Sequence, residues 1–322
     1  MKVGAVNPRK LMGFDAYTFL IKELEKVDET ILEPLSGTDW PRDMPVITGG
    51  GIVENVSSID VSYASSGGEE DNLIFEAAND IPVIQADLAK NSVPTFNFAE
   101  YMVFNALEPM KMEAVGRNPE EFLDKGIRLH FDHYVDLNVY KGFKKVKSTG
   151  LLNNANITRV SAAPVTPGGT NTQWSGKTAD QILADINALL SGIWTANECS
   201  SDAIPNHILV PVEQFGMLVT NKVSDDSERS ILTYVLENNI AAAQGKELII
   251  SPCRFCSGIG TGGKNRMVAY MNQEDRICIN LTQPLKRMET EYTNMRYKIP
   301  YFGQFSGVRF LYPSTVRYMD GI

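Results

Sequence analysis

The stretch from Gly258 to Asn265 has the spacing of a phosphate-binding loop, because Gly258, Gly263 and Lys264 fit the pattern GxxxxGK. In nucleotide-binding proteins a serine or threonine that holds magnesium follows the lysine, and a helix begins there so that its N–H groups face the phosphates. Here Asn265 follows the lysine, and residues 266–271 have the pattern of a strand. The sequence therefore predicts a glycine-rich loop between two strands, with a nucleotide-binding enzyme that uses Gly258 to Lys264 as an alternative.

Two residue pairs have the spacing of metal or redox sites. Cys253 and Cys256 form a CxxC pair, and His130 lies three residues before His133. A structural zinc site needs a second pair of ligands, which the two remaining, isolated cysteines do not form, and no third histidine supports a metal on the helical pair. We predict ordinary thiols and polar contacts at these positions, and no metal site.

Two clusters of like charge stand out. The dense basic run lies around Phe143 and consists of Lys141, Lys144, Lys145 and Lys147. An acidic turn lies earlier in the chain and consists of Glu69, Glu70 and Asp71. Such runs are usually solvated surfaces, but the lysines could also touch nucleic acid or acidic loops, and the acidic turn could be their counterpart on a neighbouring copy.

The composition argues against an enzyme and against a protein whose main surface binds nucleic acid. The chain has 322 residues, 43% of them hydrophobic and 21% charged, which is typical of globular proteins with a substantial core. Its net charge of −9 is unfavourable for phosphate binding. No GxSxG motif is present and the chain has 3 histidines, so we expect no catalytic residues and no cofactor.

The sequence also carries signals of where the protein is made. Its first residues lack the apolar core of a secretory signal, and no apolar run approaches the roughly 18 residues of a membrane span. Four scattered cysteines suit a reducing compartment. We therefore expect a protein that is made in a cytosol and has no membrane partner.

The strongest predicted element is a long helix over residues 118–142. Asn118 offers an N-cap oxygen, Pro119 suits the first helical position, and apolar residues keep helical spacing up to Gly142. At 1.5 Å per residue the helix is a rod of roughly 35 Å. We expect such a rod to organise the fold around it.

A long β-hairpin is predicted before this helix. Residues 58–63 and 81–89 alternate apolar and polar side chains on either side of the acidic turn. The hairpin has few large apolar side chains for its length, so it cannot offset the entropy of its own ordering, about 1 to 2 kcal/mol per residue. It should therefore lie on another surface. An amphipathic helix over residues 14–27 is predicted within an N-terminal arm.

The second half of the chain has the pattern of an α+β unit with its own core. Thr178 and Gln181 form a capping box for a helix with an apolar stripe. The other predicted elements are helices over 212–219 and 227–239, and strands over 207–210, 247–251, 266–271 and 277–281, followed by a β-rich tail.

The order of these parts resembles the major capsid proteins of tailed bacteriophages, which have the Hong Kong 97-type fold. The resemblance rests on Asp136 and Gly142 near the end of the long helix, on the strand from His207 to Pro211, and on the closing stretch from Gly307 to Pro313. It also rests on the turn Gly150-Leu151-Leu152-Asn153, which matches the loop motif of that family. The similarity of order spans nearly the whole chain.

The resemblance implies a domain organisation. Residues 1–39 would be the N-terminal arm, and residues 40–100 the extended loop that reaches a neighbouring subunit. Residues 101–164 and 286–322 would form the peripheral domain, with residues 118–142 as its spine helix, and residues 165–285 the axial domain. Asp136 would make a structural hydrogen bond or ion pair, and the helix-end turn would be architectural.

The resemblance also implies a function without catalysis. The protein would be a virion structural subunit that self-assembles through pentamers and hexamers into an icosahedral capsid around double-stranded DNA, in the cytoplasm of a bacterial host. Partners would include a portal protein, a separate scaffolding protein, in some cases a decoration protein, and packaged DNA held by non-specific contact. The alternative with the same fold is the encapsulin-type shell of a bacterial nanocompartment, which holds an enzyme cargo.

Overall fold

The computed structural model of the chain describes residues 37–66, 83–105, 119–224 and 228–322. The chain divides into the units Met1–Gly37 and Thr38–Ile322, and nearly all of the first lies outside the described residues, as does the helix predicted over 14–27. The helices of the second unit are α1 (Trp40–Asp43), α2 (Pro119–Tyr140), α3 (Ala179–Ala196), α4 (Val212–Thr220), α5 (Ile231–Asn238) and α6 (Ile240–Ala243).

One sheet has five strands and is covered on both faces. Its order is β4 (Thr158–Ser161), β13 (Val316–Asp320), β7 (Arg266–Tyr270), β5 (His207–Val210) and β6 (Ile249–Pro252). Side chains alternate between its faces, as the pleat requires. Met267 and Ala269 therefore join the core with α3, α4 and α5, whereas Val268 and Tyr270 join the core with α2.

A second sheet is built around one very long strand. Its order is β10 (Glu291–Thr293), β11 (Arg296–Ser306), β3 (Ile84–Asn105) and β2 (Asn55–Ser65), and β9 (Gln283–Arg287) also pairs with β11. The inner half of β3 pairs with β11, from Thr95 to Asn105, whereas its outer half pairs with β2. A smaller sheet joins β1 (Val46–Thr48), β8 (Ile277–Leu281) and β12 (Arg309–Phe310).

Helix α2 packs on the inner half of this second sheet. Its buried stripe of Ile127, Phe131, Val135 and Val139 repeats every four residues, so the four side chains lie on one face. Phe131 makes an edge-to-face contact with Phe98 of β3 at a centroid distance of 5.3 Å. The long helix predicted over 118–142 is confirmed, although Asn118 lies outside the described residues.

Residues 40–48 differ from the sequence-based expectation, which placed the start of the extended loop at residue 40. Trp40 and Met44 are buried in the core with α2, and β1 pairs in parallel with β8. The projecting segment therefore begins later, after the consecutive glycines at 49–51, which all have positive φ. Burial of the large Trp40 side chain explains why this segment stays with the body.

Elements in the second half follow the predictions closely, with two differences. The capping box of Thr178 and Gln181 is present, and the predicted strands lie within about one or two residues of their expected bounds, the scatter normal for such assignments. The helix predicted from residue 227 begins instead at Ile231, with Ser230 as its N-cap. The five-stranded sheet also contains β4 and β13, which lie in the segments predicted as peripheral domain, whereas its strands β5, β6 and β7 lie in the segment predicted as axial domain.

Candidate functional site

The end of α2 requires two glycines because the returning chain lies directly on it. Gly142 has φ +67°, and a Cβ there would be 2.7 Å from the carbonyl carbon of Ser148. A Cβ at Gly150 would be 2.5 Å from the carbonyl carbon of Tyr140. Because the atoms in contact are backbone atoms, no side chain could rotate away to make space. Only glycine fits at either position.

This close approach lets the turn cap the helix. The last carbonyls of a helix lack partners within the helix. Here Val139 O accepts a hydrogen bond from the N–H of Leu151 at 2.7 Å, and Tyr140 O accepts one from the N–H of Leu152 at 3.1 Å. Asn153 completes the cap, since its Nδ2 donates to Lys141 O at 2.6 Å. The turn from Gly150 to Asn153, hereafter the capping turn, therefore satisfies three successive carbonyls.

The capping turn is also anchored to the five-stranded sheet. Leu151 and Leu152 are fully buried, and their carbonyl oxygens accept hydrogen bonds at 2.6 Å from Tyr318 Oη and Arg266 Nη1, respectively. Arg266 also forms a buried two-pronged ion pair with Asp320, at 2.6 and 2.8 Å. Burial opposes ionisation of Asp320, but its hydrogen bonds with Arg266 and Thr261 hold the pKa of the carboxyl below its ordinary value.

Asp136 lies one turn before the end of α2 and is buried. Its Oδ2 accepts a hydrogen bond of 2.5 Å from Arg254 Nη2, in an ion pair with a half-exposed guanidinium. Burial raises the pKa of Asp136, and the contact with Arg254 only partly offsets that effect. The side chain therefore ties α2 to the short segment that follows β6.

A buried polar cluster around Asp43 was not predicted from the sequence. The carboxylate accepts hydrogen bonds from Arg42 at 2.6 and 2.9 Å and from the hydroxyl of Tyr140, and His207 Nε2 lies 3.2 Å from it. Tyr270 donates to the carbonyl of Asp43 at 2.5 Å. Burial opposes ionisation, but the contacts of the carboxylate with His207, Arg42 and Tyr140 lower the pKa of Asp43. The cluster joins α1, α2 and the five-stranded sheet.

The glycine-rich loop holds a carboxylate of its own chain. Asp320 accepts hydrogen bonds from the backbone N–H of Thr261 at 2.9 Å and from its hydroxyl at 2.8 Å, and Asn265 Oδ1 accepts one from the N–H of Gly258 at 3.1 Å. Strand β7 follows the loop, where a phosphate-binding loop would have a helix. A negative group thus occupies the position that favours a phosphate, so the geometry does not support nucleotide binding.

The other motifs make local contacts. Cys253 and Cys256 are buried free thiols, and burial raises the pKa of Cys256. His130 Nδ1 lies 3.3 Å from Glu100 Oε1. Among the described residues, no group of three or more histidine, cysteine, aspartate or glutamate side chains could hold a metal ion.

The hairpin of β2 and β3 has one apolar and one polar face. Opposite residues share a face, so Val61 and Leu88 place two large apolar side chains together. On the same face Tyr63 lies opposite Ala86, and Ile59 lies opposite Lys90. We call this surface the hairpin face: Ile59, Val61, Tyr63, Ile84 and Leu88. Tyr63 is 75% exposed, Ile59 70% and Leu88 68%. The other face carries polar residues such as Asp60 and Ser62. The acidic turn, Glu69, Glu70 and Asp71, lies outside the described residues.

A broad open groove of about 1370 Å³ lies between α2, the inner half of β3 and the basic run. We call it the lysine groove, and its exposed side chains include Tyr134, Leu137, Val146, Lys144 and Lys145. Phe143, half-buried, forms part of its floor and contacts Phe96 edge-to-face at 5.3 Å. The sequence identified the lysines but not the apolar surface beside them, because that surface depends on how β3 packs against α2.

Comparison with known proteins gives one match to a family and many to solved structures. A profile of the family described as "Major capsid protein" matches residues 70–322. A search of curated protein sequences gives no match. Within the described part of the chain, no helix has the length and apolar character needed to cross a membrane.

The solved structures show that the whole fold is shared. "The capsid of Myoviridae Phage XM1" aligns with a TM-score of 0.74 at 16% identity, over 100% of both chains. "Capsid of native GTA particle computed with C5 symmetry" aligns with a TM-score of 0.61 at 11% identity, over 92% of this chain and 94% of that one. The chain from Microbacterium phage Oxtober96 aligns with a TM-score of 0.58 at 11% identity, over 94% and 97%.

Proposed function

This chain belongs to the major capsid protein family, and we propose that it builds an icosahedral shell around the double-stranded DNA of a tailed bacteriophage. The family match covers most of the chain, and the similar structures cited above include phage capsids. The nanocompartment alternative is not favoured by these findings. The subunit would act by assembly and not by catalysis, inside the cytoplasm of a bacterial host.

The observation that carries the proposal is the hairpin face. Five large apolar side chains lie exposed on one side of a two-stranded ribbon, and burying such a side chain fully is worth about 1.5 to 3 kcal/mol. The outer half of β3 extends roughly 33 Å beyond Pro94, at 3.3 Å per residue, so its apolar side chains project away from their own body. A second copy of the chain supplies the surface that would cover them.

We propose that the predicted domain layout applies with the strand assignments given above. Helix α2 would be the spine of the peripheral domain, and α3 to α5 with their sheet the axial domain around fivefold and sixfold centres. Asp136, the two glycines and the capping turn would act as a rigid joint between these parts. The acidic turn at Glu69 to Asp71 would contact a neighbouring subunit.

The remaining partners are proposals on the strength of the family alone. A shell that packages DNA needs a portal, and a separate scaffolding protein would guide its assembly. A decoration protein would bind the outer surface in some members. DNA would contact the inner surface only weakly and without sequence preference, because the net charge of −9 opposes strong phosphate binding.

Negative-stain microscopy of the expressed chain tests the proposal. We expect closed particles from the wild type, and their loss when the hairpin face is made polar by Ile59→Ser, Val61→Ser and Tyr63→Ser. The matched control changes the opposite face, Asp60→Asn with Ser62→Asn, and should leave particles intact. A wild-type chain that stays monomeric by light scattering at high concentration would overturn the proposal.

A further inference from the structure

We propose that the lysine groove is a docking site for an acidic amphipathic helix of another protein. The proposal rests on the groove's own chemistry and does not require that the chain forms a shell. The relevant side chains are Tyr134, Leu137, Phe143 and Val146 as an apolar strip, with Lys144 and Lys145 at its edge.

The apolar strip identifies one face of the occupant. Tyr134 is 53% exposed and Val146 55%, and Leu137, which lines the same groove, is 39% exposed. Tyr134 and Leu137 are three residues apart on α2 and so form a ridge of that helix. Ridges of one helix pack into the grooves of another, which makes a second helix with an apolar stripe the fitting shape.

The lysines identify the other face of the occupant. Lys144 and Lys145 are exposed and have no carboxylate partner among the described residues, whereas Lys141 lies over the ring of Phe255 at 5.1 Å. Complementary charge at the edge of an interface fixes the register and speeds encounter. Glu100, in the facing wall, has its Oε1 3.3 Å from His130 Nδ1, and its Oε2 is buried without a hydrogen-bond partner. The groove therefore favours carboxylates on the side of the occupant near Lys144 and Lys145.

The size of the groove agrees with a helical occupant. A helix with its side chains is about 10 Å across. The groove, of about 1370 Å³, is wide enough to receive one face of such a helix. Duplex DNA suits the site less well. Its charged phosphates would lose hydration against the apolar strip and gain no favourable contact there.

Peptide binding to the full-length chain tests this inference. The probe is a fluorescent synthetic helix of about 18 residues, longer than the roughly 15 an isolated helix needs, with leucines on one face and glutamates on the other. A second peptide carries lysines in place of the glutamates. We expect the acidic peptide to bind, and Lys144→Glu with Lys145→Glu to weaken it by about tenfold or more, as measured by fluorescence anisotropy.

Two further variants make the result specific. Leu137→Asp should also weaken the acidic peptide, whereas Lys222→Glu with Lys286→Glu, exposed lysines outside the groove, should not. On the chain with Lys144→Glu and Lys145→Glu, the basic peptide should bind better than the acidic one. This reversal of preference would support a direct contact between the peptide's charged face and residues 144 and 145.

Three outcomes would overturn the inference. In the first, the acidic peptide binds neither particles nor the dissociated chain. In the second, both peptides bind the wild type equally, which indicates apolar adhesion alone. In the third, a labelled DNA duplex binds more tightly than the peptide, loses affinity with the two lysine changes and is unaffected by Leu137→Asp, which would identify the groove as a DNA contact.

Discussion

The end of α2 and the hairpin of β2 and β3 use the chain in opposite ways. At the end of α2, the capping turn satisfies three helix carbonyls, and Leu151 and Leu152 are fully buried. In the hairpin, backbone hydrogen bonds are formed, but no described part of the chain covers the apolar face. The first region is satisfied within one chain, whereas the second exposes an apolar surface that we propose another copy covers. The comparison predicts that equivalent changes will affect subunit stability in the first region and assembly in the second.

The largest effect is expected from removal of one partner of the buried ion pair that anchors the capping turn. Asp320→Ala leaves Arg266 buried without its counter-ion, which typically costs about 3 to 5 kcal/mol. Asp60→Ala, the same change on the exposed side of the hairpin, should alter the free energy of unfolding by less than about 0.5 kcal/mol. Urea unfolding of the dissociated subunit measures both values.

If Asp320→Ala does not give soluble protein, Asp320→Asn provides the test, because the amide keeps part of the hydrogen bonding and should cost less. Equal unfolding free energies for the Asp320 and Asp60 variants would break the contrast between the two regions.

A somewhat smaller effect is expected from the glycine that ends α2. Gly142→Ala would place Ala in a left-handed conformation, at about 1 to 2 kcal/mol, and would press its Cβ against the backbone of Ser148. Overpacking of this kind adds about 1 to 3 kcal/mol. Gly126→Ala in the same helix meets no atom within 4 Å and should stabilise the subunit by about 0.5 to 1 kcal/mol. Thermal unfolding of the two variants should therefore shift in opposite directions.

The pH dependence of the unfolding free energy tests whether burial determines the pKa of Asp136 on α2. Burial raises the pKa of Asp136, so the folded state binds its proton more tightly than the unfolded state, and this contribution to stability falls as pH rises through and above about 4. Asn cannot ionise, so the unfolding free energy of Asp136→Asn should not fall in this way. Relative to the wild type, the variant should therefore become more stable as pH rises from about 4 to 7. Urea titrations at a series of pH values give the slope.

Asp124 provides the control of opposite sign on the same helix. Its hydrogen bonds with Arg128 and Tyr301 lower its pKa, so its contribution is present above about pH 4 and is lost as pH falls through the lowered value. Asp124→Asn should therefore lose stability relative to the wild type as pH rises from below 4. Slopes of the same sign for the Asp136 and Asp124 variants would contradict the assignment of burial as the dominant effect at Asp136.

The sequence allowed prediction of elements whose signals are local. The long helix has its starting signals and apolar spacing within one segment, and the hairpin has its alternation and turn. The capping turn was recognised through its family motif, Gly150 to Asn153, although the hydrogen bonds that make it a cap involve Val139 and Tyr140, which no local pattern indicates.

Long-range contacts explain what could not be predicted. Asp43 meets Tyr140 and His207 across 97 and 164 residues of sequence, so the buried cluster leaves no local signature. The only hint was the spacing of the apolar residues Trp40 and Met44, four positions apart, which suits one face of a helical turn. The same limit applies to β1, which has three residues and is defined by its pairing with β8.

The smallest effect on the subunit, and the sharpest test of the comparison, is expected at Tyr63. Its side chain is already in water in the isolated chain, so Tyr63→Ser should change the unfolding free energy of the dissociated subunit by less than about 0.5 kcal/mol. In a shell the same substitution would remove one apolar contact from every copy of the interface. The yield of particles, measured by sedimentation, should therefore fall strongly. Ser62→Asn, its neighbour on the opposite face, should change neither quantity. A subunit destabilised by Tyr63→Ser would mean that the hairpin face is already packed against its own chain, and the two regions would then not differ in kind.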